Sequence, residues 1–148
     1  MKIEDVLKGA GTVFIDTAPV IYYIEAHPEF GPITKKVFDL IQKDRIKALT
    51  SVITLSEVLP RPVQTGNDAL AKQFIEFLTG GKNMGLLEIS AAIAEQAGRL
   101  RGRYPSLKMM DALQIAAAMS NGASLFITND DKLKSIKEIK FLVIKDYQ

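Results

Sequence analysis

The chain has 148 residues, with 19 Lys+Arg against 17 Asp+Glu, one His and no Cys, for a formal net charge of +2. A length of this order fits one domain over residues 1–148, whose core buries about 70% of the unfolded surface without covalent staples; 47% apolar and 24% charged residues is the balance of a globular rather than a disordered chain. The missing cysteines exclude a disulfide framework and thiolate zinc sites, the single His27 excludes multi-histidine metal centres, and a charge of +2 carries no argument by itself for nucleic acid. The acids in Met1-Lys2-Ile3-Glu4-Asp5 are unlike a secretory signal, and no apolar run reaches the ~18–20 residues of a membrane span. The expectation is a soluble, cytoplasmic protein with no membrane association.

The predicted elements follow in chain order. Val13-Phe14-Ile15 is a buried strand, ended by Asp16 and Thr17. Pro19 suits the first turn of a helix that continues through Val20 to Ile24, with Pro28 and Gly31-Pro32 marking its end. Ile33, Val37, Leu40 and Ile41 recur at helical spacing, so Thr34 to Asp44 is predicted as an amphipathic helix. Ala48 to Val52 is a second strand, and a short helix carrying Leu55, Glu57 and Val58 runs up to the breakers Pro60 and Pro62. Asn67 caps a helix from Asp68 to Leu78, stopped by Gly80-Gly81. Leu86 to Ile89 is a third strand, and Ser90 caps the helix towards Arg101-Gly102. An Ala-rich helix spans Lys108 to Ser120, with Gly122 as its stop; Leu125 to Thr128 is a fourth strand, Asp131 to Ile136 a helical turn, and Phe141 to Ile144 a fifth strand. Strands of near-continuous apolar residues alternating with helices predict an α/β fold: a three-layer α/β/α sandwich on a central parallel sheet of about five strands.

In such a sheet, ligands bind beyond the carboxyl ends of the strands. Acids recur there. Asp16 directly follows the first strand, Asp130 follows the fourth, Glu57 lies on the helix after the second, and Asp111 sits in the first turn of the Ala-rich helix. Taken singly, each has a structural explanation: Asp16 as a helix cap, Asp111 as a partner of the helix dipole, Asp130 and Asp131 as turn residues, and Glu57 as an ion-pair partner of Arg61. Taken together, they recur at corresponding ends of the inferred strands, where convergence would raise their pKa values unless a cation relieved the repulsion. Oxygen ligands without Cys or a His cluster favour Mg²⁺ or Mn²⁺ over Zn²⁺, and such an ion can activate water and neutralise charge on a phosphodiester.

Four dispersed motifs carry a family resemblance: Val13-Phe14-Ile15-Asp16-Thr17 with its continuation to Glu25; Thr54-Leu55-Ser56-Glu57-Val58; Leu107 to Ala118 around Asp111; and Leu125-Phe126-Ile127-Thr128-Asn129-Asp130. In order and spacing they resemble the PIN domain, the fold of metal-dependent ribonucleases that includes the VapC-like toxins of toxin–antitoxin pairs. The resemblance implies that Asp16, Glu57, Asp111 and Asp130 are the catalytic metal ligands, with Asp131 adjacent to the fourth and able to replace it in a shifted turn. It further implies that Thr128 and Thr17 support the site, that the cofactor is Mg²⁺ or Mn²⁺, that the substrate is RNA, and that an antitoxin protein and a second copy of the chain are partners. All four acids are present, so the resemblance points to an active copy.

Over residues 91–110, Arg99, Arg101, Arg103 and Lys108 face only Glu95, a local net charge of +3 just before Asp111. Arg99, Arg103 and Lys108 are therefore candidate RNA-backbone contacts, with Tyr104 placed to stack a base. Arg101 points in another helical direction and suits a solvated helix end. His27, in the loop Glu25 to Glu29, is a surface residue in this reading, and Tyr22, Tyr23, Ile24 and Phe30 are core or partner surface. Two other classes stand beside the ribonuclease. A phosphatase with Asp16 as covalent nucleophile would want a second Asp two positions on, where Ala18 stands. A non-catalytic RNA- or protein-binding module on the same fold would keep the acids without turnover.

Overall fold

The computed structural model describes residues 1–148. Five strands form one parallel sheet: β1 (Thr12–Ile15), β2 (Lys47–Ser51), β3 (Met84–Leu87), β4 (Leu125–Thr128) and β5 (Lys140–Val143), in the spatial order β3-β2-β1-β4-β5. The chain therefore builds outward from β1 to one edge, returns, and builds outward again through β4 to the other edge. The order reverses between β1 and β4, and that crevice is the topological switch point at which α/β sheets bind ligands.

Side-chain alternation along the strands makes the two helical layers. Val13 and Ile15 of β1, with Leu125 and Ile127 of β4, enter one core together with Val20, Val37, Phe38 and Phe74. Phe14 and Phe126 turn to the opposite core, among Ala97, Leu100, Ala112, Ile115 and Ala116. They are register partners, and their rings stack at 5.1 Å between centroids. β1 and β4 bury almost every residue, which is why their sequences lack the polar alternation of a half-exposed strand.

The helices are α1 (Ile3–Lys8), α2 (Thr17–Ile24), α3 (Gly31–Gln42), α4 (Val52–Val58), α5 (Pro60–Gln64), α6 (Asp68–Gly80), α7 (Ala91–Arg103) and α8 (Met109–Ser120), with 3₁₀ turns over Asp131–Ser135 and Ile144–Tyr147. Asn67 and Ser90 cap α6 and α7 through their side chains. Gly122, at φ +75°, follows α8 in the left-handed conformation that ends helices.

Among the differences from the sequence expectation, four show how local chemistry shapes the elements. α1 has no predicted counterpart; it is held because Ile3 and Leu7, one turn apart, enter the core. α3 starts at Gly31 because Pro32 occupies its first turn, where a missing N–H costs nothing. Pro60 and Pro62 end α4 but support a further turn, α5, by the same rule. β3 pairs over Met84–Leu87 rather than 86–89, with Gly85 opposite Leu49, whose side chain covers the place a Cβ would take, 2.8 Å from Leu49 Cδ2. No helix is long and apolar enough to cross a membrane.

Candidate functional site

The switch-point crevice gathers the predicted acids. Asp16 caps α2 at the end of β1, and its carboxylate accepts from the Thr17 amide at 2.9 Å and from the Thr128 hydroxyl at 2.8 Å. Thr128 ends β4, and its hydroxyl also accepts from the Asp130 amide at 3.2 Å. The Thr17 hydroxyl donates to Glu57 at 2.7 Å. Two threonines thus bridge the acids, Thr128 between Asp16 and Asp130, Thr17 between Asp16 and Glu57. Asp111, in the first turn of α8, shares a cleft with Asp130. Asp130 binds the Lys132 amide at 3.0 Å and caps the following turn, whereas Asp131 pairs with Lys145 at 3.3 Å and stands apart. The ion pair between Glu57 and Arg61 does not form; Glu57 turns to Thr17 instead.

The charges feel one another. Burial is the largest cause that lifts the Asp16 carboxyl to about 6, and the negative charges of Asp111 and Glu57 add to it against the hydrogen bonds from Thr128 and Thr17. Asp111 is raised as well, by burial first and then by Asp130 and Glu57, with Lys108 opposing. None of the four carboxylates has a Lys or Arg partner within salt-bridge distance. That donor set fits a hard divalent cation, which would remove the repulsion. The carboxylates are not drawn into a finished ligand shell, since no three of the acids or His27 stand close enough to hold an ion. Like charges held on two threonines and a helix cap have no reason to close without a counter-charge.

Thr128→Val tests this arrangement directly. The Thr128 hydroxyl lowers the Asp16 pKa, so its loss is expected to raise that value further above 6. A carboxyl-detected NMR titration would read the shift; an unchanged midpoint would remove Thr128 from the site.

Beneath the acids lies a polar network that sequence reasoning did not single out. The Thr54 hydroxyl is 3.2 Å from Thr17 and 2.9 Å from Thr50, and it accepts from the Gln114 amide at 2.8 Å. Gln114 in turn accepts from Ser51 at 2.5 Å, and Thr50 donates to the Ile15 carbonyl at 2.8 Å. Thr50, Ser51, Thr54 and Gln114 are all buried. The available signal was spacing: Thr54 lies three residues before Glu57, Gln114 three after Asp111, and Gln114 is a lone polar residue in an apolar helical run.

The predicted basic contacts divide. Arg99 is exposed and 3.5 Å from Glu95. Arg103 binds Glu138 at 2.9 Å, and the Tyr104 hydroxyl donates to the same carboxylate at 2.7 Å. Arg101 donates to the Leu107 carbonyl at 2.6 Å, a structural tie that agrees with its separate helical direction. Lys108 precedes α8 and lines the cleft of Asp111. His27 is half-buried rather than on the surface: its Nδ1 accepts from the amides of Glu29 and Phe30, and its ring packs on Tyr22 and Phe30.

Comparison with known protein families matches residues 13–139 to the PIN domain. Among solved structures, the chain is similar to VapBC2 from Rickettsia felis bound to a promoter DNA fragment, at 18% identity and a TM-score of 0.72, covering 89% of this chain and 98% of that one. It is also similar to the Mycobacterium tuberculosis toxin VapC20, described as cleaving the sarcin-ricin loop, at 16% identity and a TM-score of 0.69, covering 86% and 98%. VapBC-1 from nontypeable Haemophilus influenzae aligns at 21% identity and a TM-score of 0.67, covering 90% and 98%. A search of curated proteins gives no match.

Proposed function

The chain belongs to the PIN domain family, and on that premise we propose that it is a metal-dependent endoribonuclease, the toxin of a toxin–antitoxin pair, acting in the cytoplasm as a single domain over residues 1–148. The observation that carries the proposal is a set of four carboxylates at the sheet's switch point with no basic partner. Asp16, Glu57, Asp111 and Asp130 would hold Mg²⁺ or Mn²⁺. When bound, the ion neutralises phosphate charge and acidifies water. Thr128 and Thr17 fix the orientation of Asp16 and Glu57, and a carboxylate of the set takes the proton from the attacking water. Lys108 meets the RNA backbone beside Asp111, and the exposed Arg99 extends the basic surface along α7, whereas Arg103 is paired with Glu138.

An antitoxin would lie in the apolar groove of about 880 Å³ formed by α2, α3 and α6, where Tyr23, Ile24, Pro32 and Phe77 line the wall. Support for such a partner comes from the similar structures that were solved as toxin–antitoxin complexes, among them VapBC from Salmonella typhimurium and a complex from Klebsiella pneumoniae. The active unit is taken to be a homodimer.

The test is cleavage of a mixed single-stranded RNA pool with Mg²⁺, with Mn²⁺ and with EDTA, comparing wild type with Asp111→Asn. Cleavage that needs the ion and is lost in the variant is expected. Cleavage that persists in EDTA would sink the metal assignment. The second reading is a binding module without turnover on the same fold; RNA binding without cleavage in Mn²⁺ would decide for it.

A further inference from the structure

A cleft of about 270 Å³ opens beside Asp111 and Asp130. Two cations stand on its rim, Lys108 at the start of α8 and Lys132 in the turn after β4. Both are exposed, and neither is within salt-bridge distance of a carboxylate, although two acids share their cleft. By contrast, the neighbouring Lys134 and Lys145 are both paired, with Asp146 and Asp131. The floor is apolar, with Leu107 and Leu133 buried beneath it.

Tyr104 completes the wall, and it is held rigidly. Its hydroxyl donates to Glu138 at 2.7 Å and accepts from the Lys137 amide at 3.2 Å, while Arg103 fixes Glu138 from the other side at 2.9 Å. Arg103 is thereby a strut for the aromatic wall, with its charge already answered. An aromatic ring fixed at its polar end, an apolar floor and two free ammonium groups make up the chemistry of a nucleotide seat: a surface for the base and two donors for the phosphate. The volume lies just below the ~300 Å³ at which drug-sized pockets begin, which suits one nucleotide and no more.

We propose that this cleft is a nucleotide subsite, in which Tyr104 stacks a base and Lys108 and Lys132 hold its phosphate, seating the nucleotide next to the scissile bond. As a subsite for RNA the proposal rests on the nuclease reading; as a nucleotide site it stands on the cleft. Its consequence is that local selectivity arises at one nucleotide, by stacking and phosphate contact.

The experiment has two arms. In the first, nucleoside 5′-monophosphates are titrated into the protein in EDTA and followed by NMR, beside inorganic phosphate. Wild type is expected to show saturable shifts at Tyr104, Lys108 and Lys132, with Lys132→Ala weakening binding about five-fold or more, and Tyr104→Leu by roughly 5- to 100-fold. Lys132 is exposed, so its variant keeps the fold. No shifts at about 10 mM nucleotide would overturn the proposal, and so would inorganic phosphate reproducing every shift, which would leave an anion site only. In the second arm, RNA cleavage is measured for the same variants. A raised KM with kcat retained supports the subsite. Unchanged KM in both variants removes it while the nuclease reading stands. Nucleotide seated in the cleft of a protein that cleaves no RNA supports the subsite and sinks the nuclease reading.

Discussion

Asp16→Asn is expected to lower RNA cleavage by about 10²- to 10⁴-fold and, in the same protein, to raise the melting temperature at neutral pH. Loss of function with gain of stability separates a functional acid from a structural one. Asp16 carries charge in a shielded place, beside the charges of Asp111 and Glu57, and its pKa stands at about 6 against an ordinary 3.8. The neutral amide still accepts from the Thr17 amide, so the cap of α2 survives.

The sign of the pH dependence follows from that direction. Because the folded state holds the Asp16 proton more tightly than the unfolded chain, protonation favours folding. Wild-type stability should therefore fall as pH rises from about 4 to about 6, and the full cost persists above that. At 1.36 kcal/mol per pK unit the cost is roughly 2–3 kcal/mol. Asn removes it, so the two proteins should melt together near pH 4 and diverge by several degrees above pH 7, in EDTA. Mn²⁺ should then narrow the gap by stabilising wild type more than the variant. Wild-type cleavage by Asp16→Asn would overturn the assignment, and a gap that does not change with pH would overturn its electrostatic basis.

What the sequence revealed, and what it hid, follow different physics. β1 and β4 were legible because a strand buried on both faces must be apolar throughout, and Val13-Phe14-Ile15 and Leu125-Phe126-Ile127 are short apolar runs ended by polar residues. The positions of Asp16 and Asp130 were legible because a polar residue after an apolar run marks a strand end in a parallel sheet, whereas Glu57 and Asp111 lie on helices and carried no such local signal. The edge strand was displaced by two residues because β3 is only half-buried and carries Gly85 opposite Leu49, so its pairing has no continuous apolar signature. Arg103 was ambiguous for a related reason: its partner Glu138 lies 35 residues away, and nothing local announces the pairing. Lys132 beside Asp111 and the contacts of Thr54 and Gln114 belong to the same class, since side-chain convergence across elements exists only once the layers are packed.

That packed layer carries the second large effect, expected from Gln114→Leu. Gln114 is the only side chain that ties α8, which bears Asp111, to both the end of β2 and α4, which bears Glu57, through Ser51 and Thr54. Proton counting shows why it is hard to replace. Thr17 directs its proton to the Glu57 carboxylate, so Thr54 donates to Thr17, while the single Thr50 proton is shared between the Ile15 carbonyl and the Thr54 oxygen. The amide of Gln114 gives Thr54 a full-time donor beside the shared Thr50 proton, and its carbonyl accepts from Ser51. Leucine matches the bulk and offers neither group, so the buried Ser51 hydroxyl loses its acceptor and Thr54 keeps only its hydroxyl neighbours. A buried orphan costs about 1–3 kcal/mol, so urea unfolding should show a loss of roughly that size. Activity should fall in the folded fraction as well, because Thr17 then holds Glu57 on a loosened partner and α8 is free to shift Asp111. A variant with wild-type stability would show that the network does not bind the layers together. Lost stability with undiminished turnover per folded molecule would confine Gln114 to the core and leave the placement of Glu57 and Asp111 to Thr17 and the helix backbone alone.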